Sequence, residues 1–384
     1  MPVAGVVLAA VSTPGRAAGE RPLLLVLRAL GLGDLLTAVP ALRALREAFP
    51  EHRLVLAAPR ALTPLAELTE AVDAVVDTEP LAPLDPALAG ADLAVNLHGR
   101  GPRSHRVLLG ARPRRVIAFA HAEVPESRGG PEWRADEHEV ARWCRLLTES
   151  GVPADARRLE LAPTSEDALD EPRRAAGAAA RGATVVHPGA ASAARRWSPE
   201  RFAAVARAER AEGRRVVITG SAAESELAHR VAAEAGLSEH AVLAGRTDLL
   251  GLAATLAAAE RVVCGDTGVA HLATALATPS VVLFGPTSPR HWGPPPGGGA
   301  HRALWAGRTG DPHADAPDPG LLEIDVEEVL GALGELPVRR GAPEQREETR
   351  RPSLPATRRK SRAAGAGGAR RFAPPPPGTA RPCA

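Results

Sequence analysis

The sequence of 384 residues is poor in features that mark several protein classes. Its three cysteines, Cys144, Cys264 and Cys383, are widely spaced and form no Cys-x-x-Cys motif, so we expect neither a disulfide framework nor a zinc site. No apolar run approaches the roughly 18 residues that a membrane-spanning helix needs. We therefore expect a soluble protein located in the cytoplasm.

Lysine is almost absent as well. Lys360 is the only lysine among 47 basic residues, there is no tyrosine and a single methionine, and glycine and proline number 37 each. This bias is typical of a GC-rich coding sequence, so the many arginines do not indicate a nucleic-acid partner. Since 45% of the residues are hydrophobic and the net charge is only +2, the composition predicts a folded chain rather than a disordered one.

The charge is unevenly distributed along the chain. Residues 338–384 contain 12 Arg and Lys residues and three Glu, a net charge of +9, which leaves −7 for residues 1–337. This segment is rich in Pro, Gly, Arg and Ala and lacks apolar periodicity, which predicts a disordered tail. Two interpretations stay open: a basic tail that makes peripheral contact with an anionic membrane at its inner face, or an extension without a selected role.

From Pro22 onward, short β-branched or leucine-rich runs alternate with segments of helical periodicity. This alternation predicts an α/β fold with two doubly wound, Rossmann-like domains that face a central cleft. The predicted organisation is a flexible N-terminal extension at 1–20, a first domain at 21–150, a linker at 151–182, a second domain at 183–337 and the tail at 338–384.

Five strands are predicted in each domain. Those of the first domain are residues 23–28, 53–57, 74–76, 92–96 and 115–118. Those of the second are residues 184–187, 214–219, 241–243, 261–264 and 280–284. Because ligands bind at the carboxyl ends of parallel strands, we expect site residues directly after these segments.

The segment VVCGDTGVAHLATALATPS carries the strongest candidate site. Its strand ends at Gly265, Asp266 and Thr267 can cap the following helix, and Gly268 lets a ligand approach the backbone. The free N–H groups and positive dipole of a helix N-terminus suit a phosphate. His271 lies one helical turn after Thr267, on the same side. An ordinary capped strand–helix junction is the alternative interpretation.

Two other loops of the second domain offer candidate contacts. In HPGAASAARRWSPE, Arg195 can pair bidentately with a diphosphate, although loop arginines are also common on solvated surfaces. In ITGSAAESE, Glu224 either bonds ribose hydroxyls or only favours the first turn of a helix. Ser192 and Glu224 are the candidate contacts to the nucleotide.

The first strand joins its helix through the segment RALGLGDLLTAVP. The third glycine of a dinucleotide fingerprint is missing, which disfavours an NAD site. Asp34 begins the helix on the side of the cleft, where it is either a helix cap or a general base that takes a proton from a substrate hydroxyl. The candidate contacts to an acceptor on this side are Gly33, His98 and Arg100.

In order and spacing, these blocks resemble glycosyltransferase family 9, the family of ADP-heptose:lipopolysaccharide heptosyltransferases. The resemblance extends over residues 22–336. It implies the GT-B architecture and an inverting, metal-independent transfer that needs no cofactor. A sugar, heptose, would move from a nucleotide diphosphate sugar, ADP-heptose, to a hydroxyl of a glycan acceptor, as in lipopolysaccharide core synthesis.

The resemblance also implies roles for single residues. Asp34 would be the general base. The residues that would hold the sugar and the diphosphate are Asp266, Thr267, Gly268 and His271. Arg195 occupies a position usually filled by lysine, and Thr37, on the acceptor side, one that commonly carries histidine. We expect a nucleotide sugar and a glycan acceptor as partners, no nucleic acid, no metal, and a monomeric chain.

Two other classes of function stay open. A nucleotide-sugar epimerase on a similar fold would convert the donor sugar without any acceptor. A non-catalytic nucleotide-sugar-binding protein would bind the donor and transfer nothing. Incubation of the donor with and without an acceptor separates both from a glycosyltransferase.

Overall fold

A computed structural model describes residues 21–164, 169–295 and 299–339. These residues contain two five-stranded sheets in which all strands run parallel. The predicted α/β fold is therefore confirmed. The N-terminal extension at 1–20 and nearly all of the tail at 338–384 lie outside the described residues, and the domain boundaries stay predictions.

The first sheet has the strand order β3-β2-β1-β4-β5. Its strands are β1 (Leu23–Leu27), β2 (Arg53–Ala58), β3 (Ala74–Asp77), β4 (Leu93–Asn96) and β5 (Val116–Ile117). Its helices are α1 (Leu32–Ala48), α2 (Thr63–Glu67), α3 (Arg103–Gly110) and α4 (Glu139–Glu149). The continuous apolar run LLLVL becomes β1, the central strand, because a strand with helices on both faces of its sheet is buried on both sides.

The second sheet has the order β10-β9-β8-β6-β7. Its strands are β6 (Thr184–His187), β7 (Val216–Ile218), β8 (Arg261–Gly265), β9 (Ser280–Phe284) and β10 (His301–Trp305). The helices of this half are α5 (Glu171–Ala180), α6 (Pro199–Ala211), α7 (Ser225–Glu234), α8 (Leu249–Ala258), α9 (Gly268–Ala275), α10 (Pro289–Trp292), α11 (Pro319–Glu323) and α12 (Val326–Gly334).

Each sheet has one point at which the chain reverses its direction of winding. After β1 the chain builds β2 and β3 on one side and then returns to add β4 on the other. After β6 it builds β7 and then returns to add β8. A crevice opens outside the carboxyl ends of the strands at such a point, so the loops after β1, β6 and β8 are placed to form a site.

The strand predicted at 241–243 is wrong. A 3-10 turn occupies Glu239–Ala241, and only Val242 pairs with the sheet, through a single bridge to Ile218. Val242 is buried all the same, which explains why its apolar pattern resembles that of a strand. Among the elements that were not predicted are the edge strand β10, which is only half-buried, and α5, which lies within the segment predicted as a linker.

Helices α1 and α9 pack against each other and join the two halves. Apolar residues of both helices, among them Leu35 and Val39 of α1 and Val269 and Leu272 of α9, belong to one buried cluster. This packing fixes the N-termini of the two helices next to each other. In the described part of the chain, no helix combines the length and the apolar character needed to cross a membrane.

Candidate functional site

A cavity of about 970 Å³ lies between the two halves, at the carboxyl ends of β1, β6, β7 and β8. This volume is at the upper end of the range for small-molecule sites and is large enough for a nucleotide sugar. The predicted site residues that line it are Gly33, Asp34, Arg195, Glu224, Asp266, Thr267, Gly268 and His271. Residues more than 230 positions apart in the sequence, such as Asp34 and His271, therefore share one cavity.

The N-termini of α1 and α9 meet at two glycines. A Cβ atom on Gly33 would lie 2.9 Å from Cδ2 of His271, and one on Gly268 would lie 2.8 Å from Cβ of Leu32 and 3.0 Å from N of Gly33. The first turns of both helices can approach this closely only because neither glycine has a side chain. Two positive helix ends therefore face the same cavity, which favours an anionic ligand.

Replacing Gly268 by alanine is expected to destabilise the fold by about 1–3 kcal/mol, because the added methyl group overlaps backbone and Cβ atoms that cannot rotate away. Gly331 in α12 is the matched control, since nothing lies within 4 Å of its Cβ position. Gly331→Ala is expected to stabilise the helix by up to about 1 kcal/mol. Urea unfolding of both variants measures the difference, and a Gly268→Ala variant as stable as the wild type contradicts the close contact.

Asp266 lies at the end of β8 and is only 6% exposed. Burial raises its pKa to about 6, although the Arg195 charge and a hydrogen bond from the Thr287 hydroxyl oppose the increase. The carboxyl group can therefore exchange a proton near neutral pH. Thr267, the next residue, caps α9: its hydroxyl oxygen accepts a hydrogen bond of 3.2 Å from the N–H of Val269.

Arg195 points its guanidinium at the same strand end. Its Nη1 donates to the backbone oxygen of Asp266 at 3.3 Å, and its Nε lies 3.5 Å from the Ser192 hydroxyl. Ser192 itself does not line the cavity; its hydroxyl donates to the carbonyl of Pro312. Among the described residues, no carboxylate lies within ion-pair distance of Arg195, although the Asp266 carboxyl is near enough for the Arg195 charge to oppose the rise of its pKa.

Glu224 also lines the cavity and lies after β7. One of its carboxylate oxygens accepts a hydrogen bond of 2.7 Å from the N–H of Ser221, and a Cβ on Gly189 would lie 2.1 Å from the other. Burial alone would raise the pKa of Glu224, but the Ser221 N–H and the neighbouring His187 hold it below its usual value. The Glu224 side chain is therefore an ionised carboxylate, which can accept hydrogen bonds from the hydroxyl groups of a ligand.

Asp34 stands at the first turn of α1, and its side chain is 28% exposed. Its Oδ2 accepts a hydrogen bond of 3.2 Å from the N–H of Gly31, and its Oδ1 lies 3.3 Å from Nη2 of Arg28. Burial raises the pKa of Asp34; Arg28 opposes the increase and Glu139 adds to it. This environment suits a general base, because it increases the proton affinity of the carboxylate.

Three of the residues predicted on the acceptor side do not line the cavity. Thr37 is buried, and its hydroxyl donates to the backbone oxygen of Asp34 at 2.9 Å. His98 is half-buried with a pKa lowered to about 4 by burial, and Arg100 is exposed. Their roles as acceptor contacts stay predictions. Only Gly33 of that group lines the cavity.

Several cavity residues were missed by sequence reasoning. His187 ends β6 and is buried, with its Nδ1 3.1 Å from the Thr219 hydroxyl. Its place at the carboxyl end of β6, an interior strand of the sheet, is a signal that could have identified it. Trp292 packs edge-on against His271, with ring centroids 5.9 Å apart. Burial lowers the pKa of His271 to about 4, so its ring is neutral at physiological pH.

Contacts between the segment that precedes α4 and the residues of α10 and its end connect the two halves beside the cavity. Nε2 of His138 donates to the carbonyl of Gly293 at 2.9 Å. The carboxylate of Asp136 pairs with Arg290 at 3.0 Å and with His291 at 2.9 Å. Within the described ranges, no group of three or more His, Cys, Asp or Glu side chains is arranged to hold a metal ion.

The class of fold follows from this geometry. Two Rossmann-like halves around a central cleft are the GT-B arrangement that the resemblance implies. Solved structures share it: ADP-heptose lipopolysaccharide heptosyltransferase II of Escherichia coli aligns with a TM-score of 0.66 at 22% identity, covering 81% of this chain and 97% of that chain. The E. coli heptosyltransferase WaaC with ADP aligns with a TM-score of 0.60 at 19% identity, covering 82% and 99%.

Sequence comparison gives the family. Residues 128–314 match the model of glycosyltransferase family 9 (heptosyltransferase). The chain therefore carries a glycosyltransferase family 9 domain, which confirms the resemblance. Lipopolysaccharide heptosyltransferase 1 of Pseudomonas aeruginosa is 54% identical over 70 residues, which are 18% of this chain and 19% of that protein. In sequence, the match thus spans about a fifth of this curated relative.

Proposed function

We propose that the protein is an inverting glycosyltransferase that moves a heptose from ADP-heptose to a hydroxyl of a glycan acceptor in lipopolysaccharide core synthesis. The observation that carries the proposal is that Asp34, Arg195 and the α9 N-terminus line one cavity. A displacement at an anomeric carbon needs a base on the incoming side and positive charge on the leaving side. The cavity offers both. The family match and the names of the relatives support the choice of sugar and acceptor.

The reaction follows from these positions. The acceptor hydroxyl gives its proton to a carboxylate oxygen of Asp34 while its oxygen bonds to the anomeric carbon. The bond from that carbon to the diphosphate oxygen breaks, and ADP leaves with the electron pair. The backbone N–H groups at Thr267 and Gly268 and the Arg195 guanidinium stabilise the charge on the diphosphate. In this proposal no metal or cofactor takes part.

The remaining site residues act on the donor. Glu224 accepts hydrogen bonds from the ribose hydroxyls, and Asp266 and His271 contact the heptose and the diphosphate. We further propose that the protein acts as a monomer in the cytoplasm, with a lipopolysaccharide precursor as its second partner.

Peripheral membrane contact through the tail at 338–384 is part of the same proposal. It is tested by deleting the tail and measuring sedimentation with anionic vesicles.

Transfer is tested by incubating the full-length protein with ADP-heptose and a lipopolysaccharide core that lacks heptose. We expect the acceptor to gain the mass of one heptose and an equal amount of ADP to appear, only when both substrates are present. Conversion of the heptose without acceptor would support an epimerase instead. Binding of ADP with no transfer would support a binding protein.

The nucleotide is tested separately by thermal shift with ADP, GDP and UDP. A ligand at about a hundred times its dissociation constant stabilises the folded state by about 2.7 kcal/mol, which gives a clear shift. We expect this shift with ADP and smaller ones with GDP and UDP. Equal shifts with all three nucleotides contradict the assignment of an ADP-sugar.

A further inference from the structure

Arg28 is a buried cation directly behind the proposed base. It follows β1 and is 1% exposed. Its guanidinium nitrogens contact several different acceptors. Its Nε donates to the backbone oxygen of Asp34 at 2.9 Å, and its Nη1 donates to the carbonyl of Leu97. Its Nη2 lies 3.3 Å from Oδ1 of Asp34, 3.1 Å from the Thr37 hydroxyl and 3.0 Å from Oε1 of Glu139. One guanidinium nitrogen thus contacts two carboxylates.

Glu139, at the start of α4, is held firmly in this position. It is 5% exposed, and its Oε1 also accepts a hydrogen bond of 2.9 Å from the indole N–H of Trp143. Its Oε2 pairs with Arg142. The guanidinium carbon of Arg28 lies 4.7 Å from the centroid of the Trp143 ring, so that ring restrains the cation as well. Arg28 therefore cannot turn wholly towards Asp34.

We propose that Arg28 is a positioning residue for Asp34, and that Glu139 holds part of this cation so that Asp34 is oriented by it without being locked into a full ion pair. The inference rests on the proposed role of Asp34 as the base of the transfer reaction. A carboxylate that shares its cation keeps more of its proton affinity than one that has the cation to itself. The Arg28–Glu139 pair would then set both the direction and the basicity of Asp34.

The groups around Asp34 agree with this arrangement. Burial raises the pKa of Asp34, Arg28 opposes the increase and Glu139 reinforces it. His271 from α9 and His98 after β4 lie near enough to Arg28 to feel its charge, and burial is the main cause that lowers the pKa of each to about 4. Both rings are therefore neutral at physiological pH. The charge on Glu139 then determines how far Arg28 lowers the pKa of Asp34.

The test is a titration of Asp34 in the full-length protein labelled with aspartate that carries ¹³C at the side-chain carboxyl. The signal that is missing in Asp34→Asn identifies Asp34. We expect a midpoint above the usual 3.8 in the wild type. In Glu139→Gln the amide keeps the hydrogen-bonding shape but loses the charge, so more of the Arg28 charge acts on Asp34 and the Asp34 midpoint falls by about one unit.

Glu137→Gln is the matched control. Glu137 lies two residues away and pairs with Arg145 at 2.7 Å rather than with Arg28, so this variant should leave the Asp34 midpoint unchanged. A folded Glu139→Gln variant with the wild-type midpoint overturns the proposal. So does a wild-type midpoint at or below 3.8, a result that needs no variant to fold.

This titration uses neither donor nor acceptor, so its outcome is independent of the transfer assay. Absence of transfer by the wild type contradicts the proposed function, whereas an unshifted titration contradicts only the role of Glu139. Where transfer is measured, the acid limb of the pH profile of kcat/KM should move to lower pH in Glu139→Gln by the same amount as the titration midpoint. A residue that only stabilises the fold would not move that limb.

Discussion

Replacing Asp34 by asparagine is expected to lower the rate of sugar transfer by about 10²–10⁴-fold, the contribution of a positioned general base. Asparagine has nearly the same shape and can still accept the hydrogen bond that the Gly31 N–H donates to Asp34 at 3.2 Å. The helix start therefore stays intact, while the side chain loses its ability to take a proton. The turnover number should fall and donor binding should not, because the diphosphate contacts lie on the other half.

The measurement combines initial rates of transfer with the thermal shift caused by ADP. Asp325→Asn is the matched control: Asp325 also begins a helix, α12, where its side chain accepts a hydrogen bond of 2.8 Å from the Glu328 N–H, and it does not line the cavity. Asparagine caps a helix as well as aspartate does, so this variant should transfer at the wild-type rate. Unchanged turnover in Asp34→Asn rules out Asp34 as the base.

Several of the predicted site residues that line the cavity share one property. Asp34, Glu224 and the residues from Asp266 to Gly268 each follow a buried apolar strand and begin a helix. Strand periodicity, capping residues and glycine are local signals, and the parallel α/β pattern then places all such junctions at one edge of each sheet. Local pattern and fold class together are therefore sufficient to predict that these residues lie close together.

What the sequence does not predict depends on contacts between distant segments. Glu139 meets Arg28 across 111 residues, because α4 packs against α1. Nothing near Glu139 in the sequence distinguishes it from a solvated first-turn acid, which is a more common case. The same limit applies to Trp292: it lies on a helix of four residues, and its contact with His271 depends on how α10 is placed after β9.

Thr37 shows the limit of predicting side-chain direction. It lies three residues after Asp34, and the resemblance places it on the acceptor side. In the structure Thr37 is buried and its hydroxyl lies 3.1 Å from Nη2 of Arg28. It therefore helps to hold the guanidinium that contacts Asp34. A three-residue spacing puts two side chains near each other on a helix surface, but the surrounding packing decides which of them faces the cavity.

Replacing Arg195 by alanine is expected to lower kcat by about 10²–10³-fold, the usual cost of removing one charge-stabilising donor. The Arg195 side chain lies beside the α9 N-terminus, with its Nη1 3.3 Å from the backbone oxygen of Asp266. Without it, the leaving diphosphate loses its cationic partner. ADP binding should weaken too, because the same contact forms with the product. Arg195→Lys should restore part of the rate, since it keeps the charge but loses the bidentate geometry.

Arg207→Ala is the control for loss of an arginine: Arg207 is exposed on α6, donates to the carbonyl of Glu234 at 2.7 Å and does not line the cavity. It should leave kcat unchanged, and a wild-type kcat in Arg195→Ala contradicts the proposed role.

A second measurement is the pH dependence of the free energy of unfolding. Burial raises the pKa of Asp266 to about 6 against the effect of Arg195, so the folded state loses stability as pH rises from 3.8 to about 6. Because removal of Arg195 raises that pKa further, urea unfolding of Arg195→Ala should show the loss continuing to higher pH.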